Sequence, residues 1–127
     1  IDVNRQNAKA YCMMKNYAKG VDRYEALKAL GDKSFTTLYY LGISYYGMEW
    51  YHAAERNLLE AQKLRPSAPA DVNLLYYLAK ACSHTSSQQE GVAFMKEAIN
   101  LTEPTDSVMA HLYDGLVDCY SRWHSGR

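Results

Sequence analysis

Three pairs of small residues, each pair twelve positions apart, set the strongest limit on what this chain can fold into. Ala8 with Gly20, Gly42 with Ala54, and Ala79 with Gly91 recur along its 127 residues. Beside the middle pair, Leu38, Leu41, Gly42 and Tyr45 fall at i, i+3, i+4 and i+7, which is one face of a helix. Two helices joined by a short turn approach closely only where both lack bulk, so a small residue on each side lets the backbones meet. The spacing predicts antiparallel helical hairpins, one for each pair. A hairpin of this size cannot bury its apolar face alone, and stacking against neighbours completes the core.

After Gly42 come Ala54, Leu58, Ala61 and Pro66. This run resembles the tetratricopeptide signature: large-x2-Leu-Gly-x2-Tyr, then Ala-x3-large-x2-Ala, then Pro. Leu38 and Leu58 stand where aromatics are usual. The next unit supplies Leu75, Leu78, Ala79 and Cys82, then Gly91, Met95 and Ala98, with Pro104 one place late. Backwards, Ala8 with Tyr11 precedes Gly20 and Tyr24; forwards, Tyr113, Leu116, Val117 and Tyr120 repeat the first-helix half. The resemblance implies an all-α fold, a right-handed α-solenoid of antiparallel helix pairs in a single domain spanning 1–127. It holds about three repeats, near 1–34, 35–71 and 72–109, plus a terminal helix or half repeat at 110–127.

Seven helices are expected, near 2–14, 17–30, 35–47, 50–64, 71–84, 88–101 and 106–123. Gly31-Asp32-Lys33-Ser34 ends one helix and offers Ser34 as an N-cap. Pro66-Ser67-Ala68-Pro69 breaks the chain before Asp71, read as the next cap, and Glu103-Pro104-Thr105-Asp106 precedes the last helix. Asn4 and Asn7 replace the apolar residues of the other repeats, so the first helix pairs loosely or in a shifted register. The seventh helix reads either as a cap, with Asp106, Asp114, Asp118 and Arg122 on its wet side, or as half of a further repeat.

Fourteen basic and fourteen acidic residues leave no net charge, which removes the electrostatic footprint of nucleic-acid binding or of attachment to an anionic membrane. No apolar run approaches the ~20 residues of a membrane span. Neither nucleic acid nor membrane insertion is expected, and the compartment is left open. Cys12, Cys82 and Cys119 lie far apart, without a C-x-x-C pair, so neither a disulfide framework nor a zinc site is indicated. There is no G-x-S-x-G elbow or Gly-rich phosphate loop. The expectation is a protein that is not an enzyme and takes no cofactor or metal.

Twelve tyrosines against two Phe and two Trp are the compositional anomaly. Such rings suit half-buried surfaces, where the ring packs and the hydroxyl stays wet. Stacked hairpins curve, and their first helices line the concave side. The expected groove is Arg5 and Lys9 from the first repeat, Thr36, Tyr39, Tyr40, Ile43 and Tyr46 from the second, and Asn73, Tyr76, Tyr77, Lys80 and His84 from the third. Cys12, Gly47 and Ser83 belong to the same face, with His111, Asp114 and Asp118 on the terminal helix. Tyr39 with Tyr76, and Tyr40 with Tyr77, hold equivalent places, which predicts a ladder of rings; Arg5, Lys9 and Lys80 are read as able to meet carboxylates. For Tyr40 and Tyr77 the competing reading is packing between adjacent repeats. Tyr11, Tyr45 and Tyr120 are read as core.

Some relatives in the resembling family grip a terminal carboxylate with Lys and Asn at set groove positions. Here Arg5 stands where such a Lys would, but Lys9 and Tyr40 replace the asparagines, and Asn73 and Tyr77 replace the Lys and Arg of the third repeat. That mode of binding is not expected. The leading reading is a scaffold for an unidentified peptide or protein segment; the second is a structural or assembly module, in which the convex face or the terminal helix joins copies or packs within a larger chain.

Overall fold

The computed structural model describes residues 2–64 and 68–125, and the chain divides into two compact units, Ile1–Leu64 and Arg65–Arg127. Among the described residues there are seven helices and no strand. The first unit holds α1 (Asp2–Met13), α2 (Tyr17–Ala29), α3 (Phe35–Gly47) and α4 (Tyr51–Gln62); the second holds α5 (Ala68–Ser83), α6 (Gln88–Asn100) and α7 (Val108–Ser125).

Local chemistry places the breaks. Ser34 accepts from the Thr37 amide and caps α3, as the sequence implies, and Asn16 accepts from the Lys19 amide and caps α2. The turns after α1 and α3 are copies of one another. Asn16 N–H donates to the Tyr11 carbonyl and Trp50 N–H to the Tyr45 carbonyl, both at 2.9 Å. Lys15 (φ 62°) and Glu49 (φ 63°) take the left-handed residue of these turns, a place where glycine is usual. The second unit begins earlier than expected. Helix α5 starts at Ala68 rather than after Asp71, because Pro69 falls in the first turn, where its missing N–H has no partner to lose. Pro66 and Ser67 lie outside the described residues.

In the first unit, α2 packs on both α1 and α3, α3 on α4, and α1 also touches α3; in the second, α6 packs on α5 and α7, and α5 touches α7. The small pairs lie inside these contacts, since Ala8, Gly20, Gly42, Ala54, Ala79 and Gly91 are all buried. A Cβ on Gly91 would lie 2.9 Å from the Ala79 carbonyl oxygen, so here two backbones do touch. Gly42 meets a side chain instead: its Cβ would lie 2.5 Å from Leu58 Cγ. Tyr24, Leu58 and Met95, four residues past the second small residue of each pair, are fully buried, as are Ala61 and Ala98 three further on.

Two registers differ from expectation. On α7 the buried face is Leu112, Gly115 and Cys119, while Tyr113 is 52% and Val117 63% exposed. The reason is room: a Cβ on Gly115 would come within 2.6 Å of Met95 Cε and 3.0 Å of Tyr76 Cε1, so only this glycine can face α5 and α6. Leu112, Gly115, Leu116 and Cys119 thus repeat Leu75, Leu78, Ala79 and Cys82 at a constant step of 37 residues. On α1 the buried residues are Ala8 and Cys12, and Tyr11 is half-buried under Lys19 and Arg23, which lie 5.5 and 5.8 Å from its ring centroid. Cys12 and Ser83, expected on the groove face, are core; the Cys12 thiol donates to the Tyr40 carbonyl at 3.9 Å and burial pushes its pKa up.

Candidate functional site

In the first unit the expected binding residues divide into an ion-pair network and a cluster of rings. Asp32 is the centre of the network. Arg5 donates from Nε to Oδ2 at 2.7 Å and from Nη2 to Oδ1 at 2.9 Å, Thr37 Oγ1 donates to Oδ2 at 2.8 Å, and the Ser34 amide donates to Oδ1 at 3.1 Å. The carboxylate is almost fully enclosed, and the Arg5 guanidinium holds its pKa well below the usual range, against the opposing effect of burial and with help from Thr37 and Ser34. A buried charge persists only when paired and hydrogen-bonded in this way. Arg5 therefore meets a carboxylate of its own chain.

The rings lie on α3. Phe35 stacks on Tyr39 at 5.4 Å, Tyr39 meets Tyr40 edge-on at 5.0 Å, and Tyr40 stacks on Tyr24 of α2 at 6.2 Å. Lys9 covers the Tyr40 ring from α1 at 5.4 Å. Tyr39, expected on an open platform, is only 9% exposed; Tyr40, the weaker candidate on sequence, is half-buried. Tyr46 is half-buried with its ring edge-on to Tyr51 at 5.6 Å, Ile43 is half-buried, and Thr36 and Gly47 are exposed. Tyr45 is core as expected. It stacks on Trp50 at 5.7 Å, and burial together with the Glu25 carboxylate pushes its hydroxyl up to about 12.

The second unit repeats the theme with other residues. Tyr76 lies 4.3 Å from the His111 ring and edge-on to Tyr77 at 5.4 Å. Both tyrosines are half-buried, as is His84 past the end of α5, while Asn73 is exposed. Burial raises the Tyr76 hydroxyl. Lys80 forms an ion pair with Asp118 of α7, and Arg122 adds a second at 3.3 Å. Burial would raise the Asp118 carboxyl, but the Lys80 bond and the charges of Lys80 and Arg122 outweigh it and lower its pKa. Asp118, read as part of a wet face, is thus tied down, and Lys80 is already matched. Tyr120, read as core, is half-buried beneath Lys96, whose Nζ lies 5.4 Å from the ring centroid. Burial pushes the Cys119 thiol up to about 11.

These contacts share a register that the sequence reading missed. Arg5 and Lys9 stand three places before and one place after Ala8, and Tyr76 and Lys80 stand likewise about Ala79. In each unit that pair reaches from one first helix to the next. Arg5 engages Asp32, which Thr37 also binds, and Lys9 engages Tyr40; Tyr76 engages His111, and Lys80 engages Asp118. The signal was present in the sequence as two lysines following two buried alanines at a fixed step.

A cleft recurs at the open end of each hairpin. In the first unit, one of about 150 Å³ is lined by Asn4, Asn7, Arg23, Ala26, Leu27 and Leu30, and one of about 270 Å³ by Lys33, Leu38, Glu60, Lys63 and Leu64. In the second unit, Val72, Asn73, Leu101, Thr102, Glu103, Asp106 and Val108 line a cleft of about 310 Å³. Leu30, Leu64 and Leu101 are exposed, each three residues beyond the buried Leu27, Ala61 or Ala98.

Among the described residues no group of three or more His, Cys, Asp or Glu could hold a metal ion, and no helix is long and apolar enough to cross a membrane. No protein-family model matches the chain, and no curated protein matches its sequence.

Proposed function

We propose that this chain is a non-catalytic scaffold of the tetratricopeptide kind, a right-handed stack of helix pairs that holds a segment of another protein against the tyrosines of its first helices. One observation carries the reading. On the first-helix face of each unit the cations are taken up internally, by Asp32, the Tyr40 ring and Asp118. Tyr40, Tyr46, Tyr76 and Tyr77 are packed on neighbouring rings yet only half-buried, so part of each stays open to a ligand. Rings with wet hydroxyls give contact area at little cost in side-chain freedom, which suits recognition of a peptide. The partner is then a neutral segment with apolar and aromatic side chains rather than an acidic one, because no first-helix cation is offered to it.

Panning a displayed peptide library on the wild-type chain tests this. Selected peptides should bind with Kd in the ~micromolar range, about −8 kcal/mol. The double variant Tyr46→Ala, Tyr77→Ala should weaken them at least roughly tenfold while circular dichroism stays unchanged, as truncation of aromatic anchors does. Peptides that bind the double variant as well as the wild type would place binding on another surface.

A further inference from the structure

Within the second unit the seam between α5 and α7 is closed at two levels and open at a third. Lys80 pairs with Asp118, and one turn earlier on α5 Tyr76 lies against His111. One turn earlier again come Val72 and Asn73, four places before Tyr76 and Tyr77 and so on the same side of the helix. Here Val72, Asn73 and Val108 line the cleft of about 310 Å³ described above. Its apolar lining is Val72, Leu101 and Val108. Glu103 and Asp106 are the charged residues that line it, both exposed, and among the described residues no cation pairs with either. The loop that carries them is tied down. The Asp106 amide donates to the Glu103 carbonyl at 2.9 Å, and Asp106 Oδ1 accepts from the Val108 amide at 2.9 Å, which leaves Oδ2 for a ligand. Thr102 donates its hydroxyl to the Ala98 carbonyl at 2.8 Å.

We propose that this cleft takes the side chain of an arginine on the partner segment, its stem on Val72, Leu101 and Val108 and its guanidinium shared by Glu103 and Asp106. An arginine carries an apolar stem behind a planar fork of N–H donors, so one side chain answers both halves of the lining. A carboxylate would be repelled there. A purely apolar group would strip water from two carboxylates and give nothing back. The inference deepens the reading above and rests on it for the source of the arginine. The stretch on Tyr76 and Tyr77 stays uncharged, and the arginine follows it. One helical turn rises about 5.4 Å and an extended residue spans about 3.3–3.6 Å. The arginine therefore stands one or two residues beyond the side chain that rests on the rings.

Two measurements at neutral pH decide it. The first adds butylguanidinium, a mimic of the arginine side chain, to the isotope-labelled chain and follows its amide resonances. Those between Leu101 and Val108 should shift and saturate, with Kd roughly 1–10 mM. Pentanamide, neutral and of similar shape, should bind at least about tenfold more weakly. Glu103→Gln combined with Asp106→Asn should abolish the guanidinium response. Circular dichroism should not change, because asparagine at 106 can still accept from the Val108 amide. The second measurement uses peptides panned on the wild type. They should carry an arginine one or two residues from an apolar or aromatic one, and bind the Glu103→Gln, Asp106→Asn variant at least roughly tenfold more weakly. Either of two results overturns the proposal. One is butylguanidinium that binds no better than pentanamide, or binds the variant equally well. The other is a set of peptides that lack arginine and bind wild type and variant alike. The titration needs no peptide, so a failed cleft is told apart from a failed tyrosine face.

Discussion

Arg5 and Asp32 form a two-pronged ion pair, at 2.7 and 2.9 Å, between the first helix and the turn that leads into the third. The Asp32 side chain is 1% exposed and that of Arg5 32%, so loss of the arginine strands a carboxylate that water cannot reach. Arg5→Ala should cost about 2–4 kcal/mol in urea denaturation at neutral pH. The pH dependence follows from the depressed pKa of Asp32. In the unfolded chain such a carboxyl titrates near about 3.9, above its folded value. Its contribution is therefore complete above roughly pH 5 and shrinks as the pH falls below that. The gap between wild type and Arg5→Ala should narrow between pH 5 and pH 2. A gap that stays constant would mean that the pair does not govern acid stability.

Gly42 leaves no room for a side chain, because even a Cβ would lie 2.5 Å from Leu58 Cγ, and Leu58 is fully buried. Gly42→Ala should destabilise the chain by about 1–3 kcal/mol, the usual cost of overpacking, despite the better helix propensity of alanine. Gly42→Leu should unfold the first unit. Thermal melting followed by circular dichroism reads both, and an unchanged melting temperature for Gly42→Leu would show that the two helices are not in close contact there.

Lys15 and Glu49 occupy left-handed backbone at exposed turn positions, a conformation that costs an ordinary L-residue roughly 1 kcal/mol. Replacing either by glycine should raise stability by about 0.5–1 kcal/mol. Alanine at the same places should bring no gain. Equal effects of glycine and alanine would locate the benefit in lost charge rather than in backbone strain.

Much of the fold was legible in the sequence because close helix contacts constrain residue size at both ends. Gly91 facing the Ala79 carbonyl is the clearest case, and the first six helices follow from it and its two counterparts. The last helix misled for a physical reason. Tyr113, Leu116, Val117 and Tyr120 have the size pattern of a core stripe, whereas the real stripe is set by Gly115, whose smallness matters only because Met95 and Tyr76 press on it. The binding face was harder still to read. Arg5 and Lys80 look available in a sequence, since their partners Asp32 and Asp118 lie 27 and 38 residues away. Tyr39 looks open until Phe35, one turn earlier, and Tyr40 close around it.

Equivalent seams made of unlike chemistry act as an address. An arginine fork seeks a carboxylate in the first unit, and a tyrosine leans on a histidine in the second. Were α1 to settle where α5 belongs, its guanidinium would face an imidazole, and Asp32 would be shut away uncompensated. Tandem chains are prone to such shuffled assembly while they fold. Writing each junction in a different vocabulary penalises the wrong order before it can close.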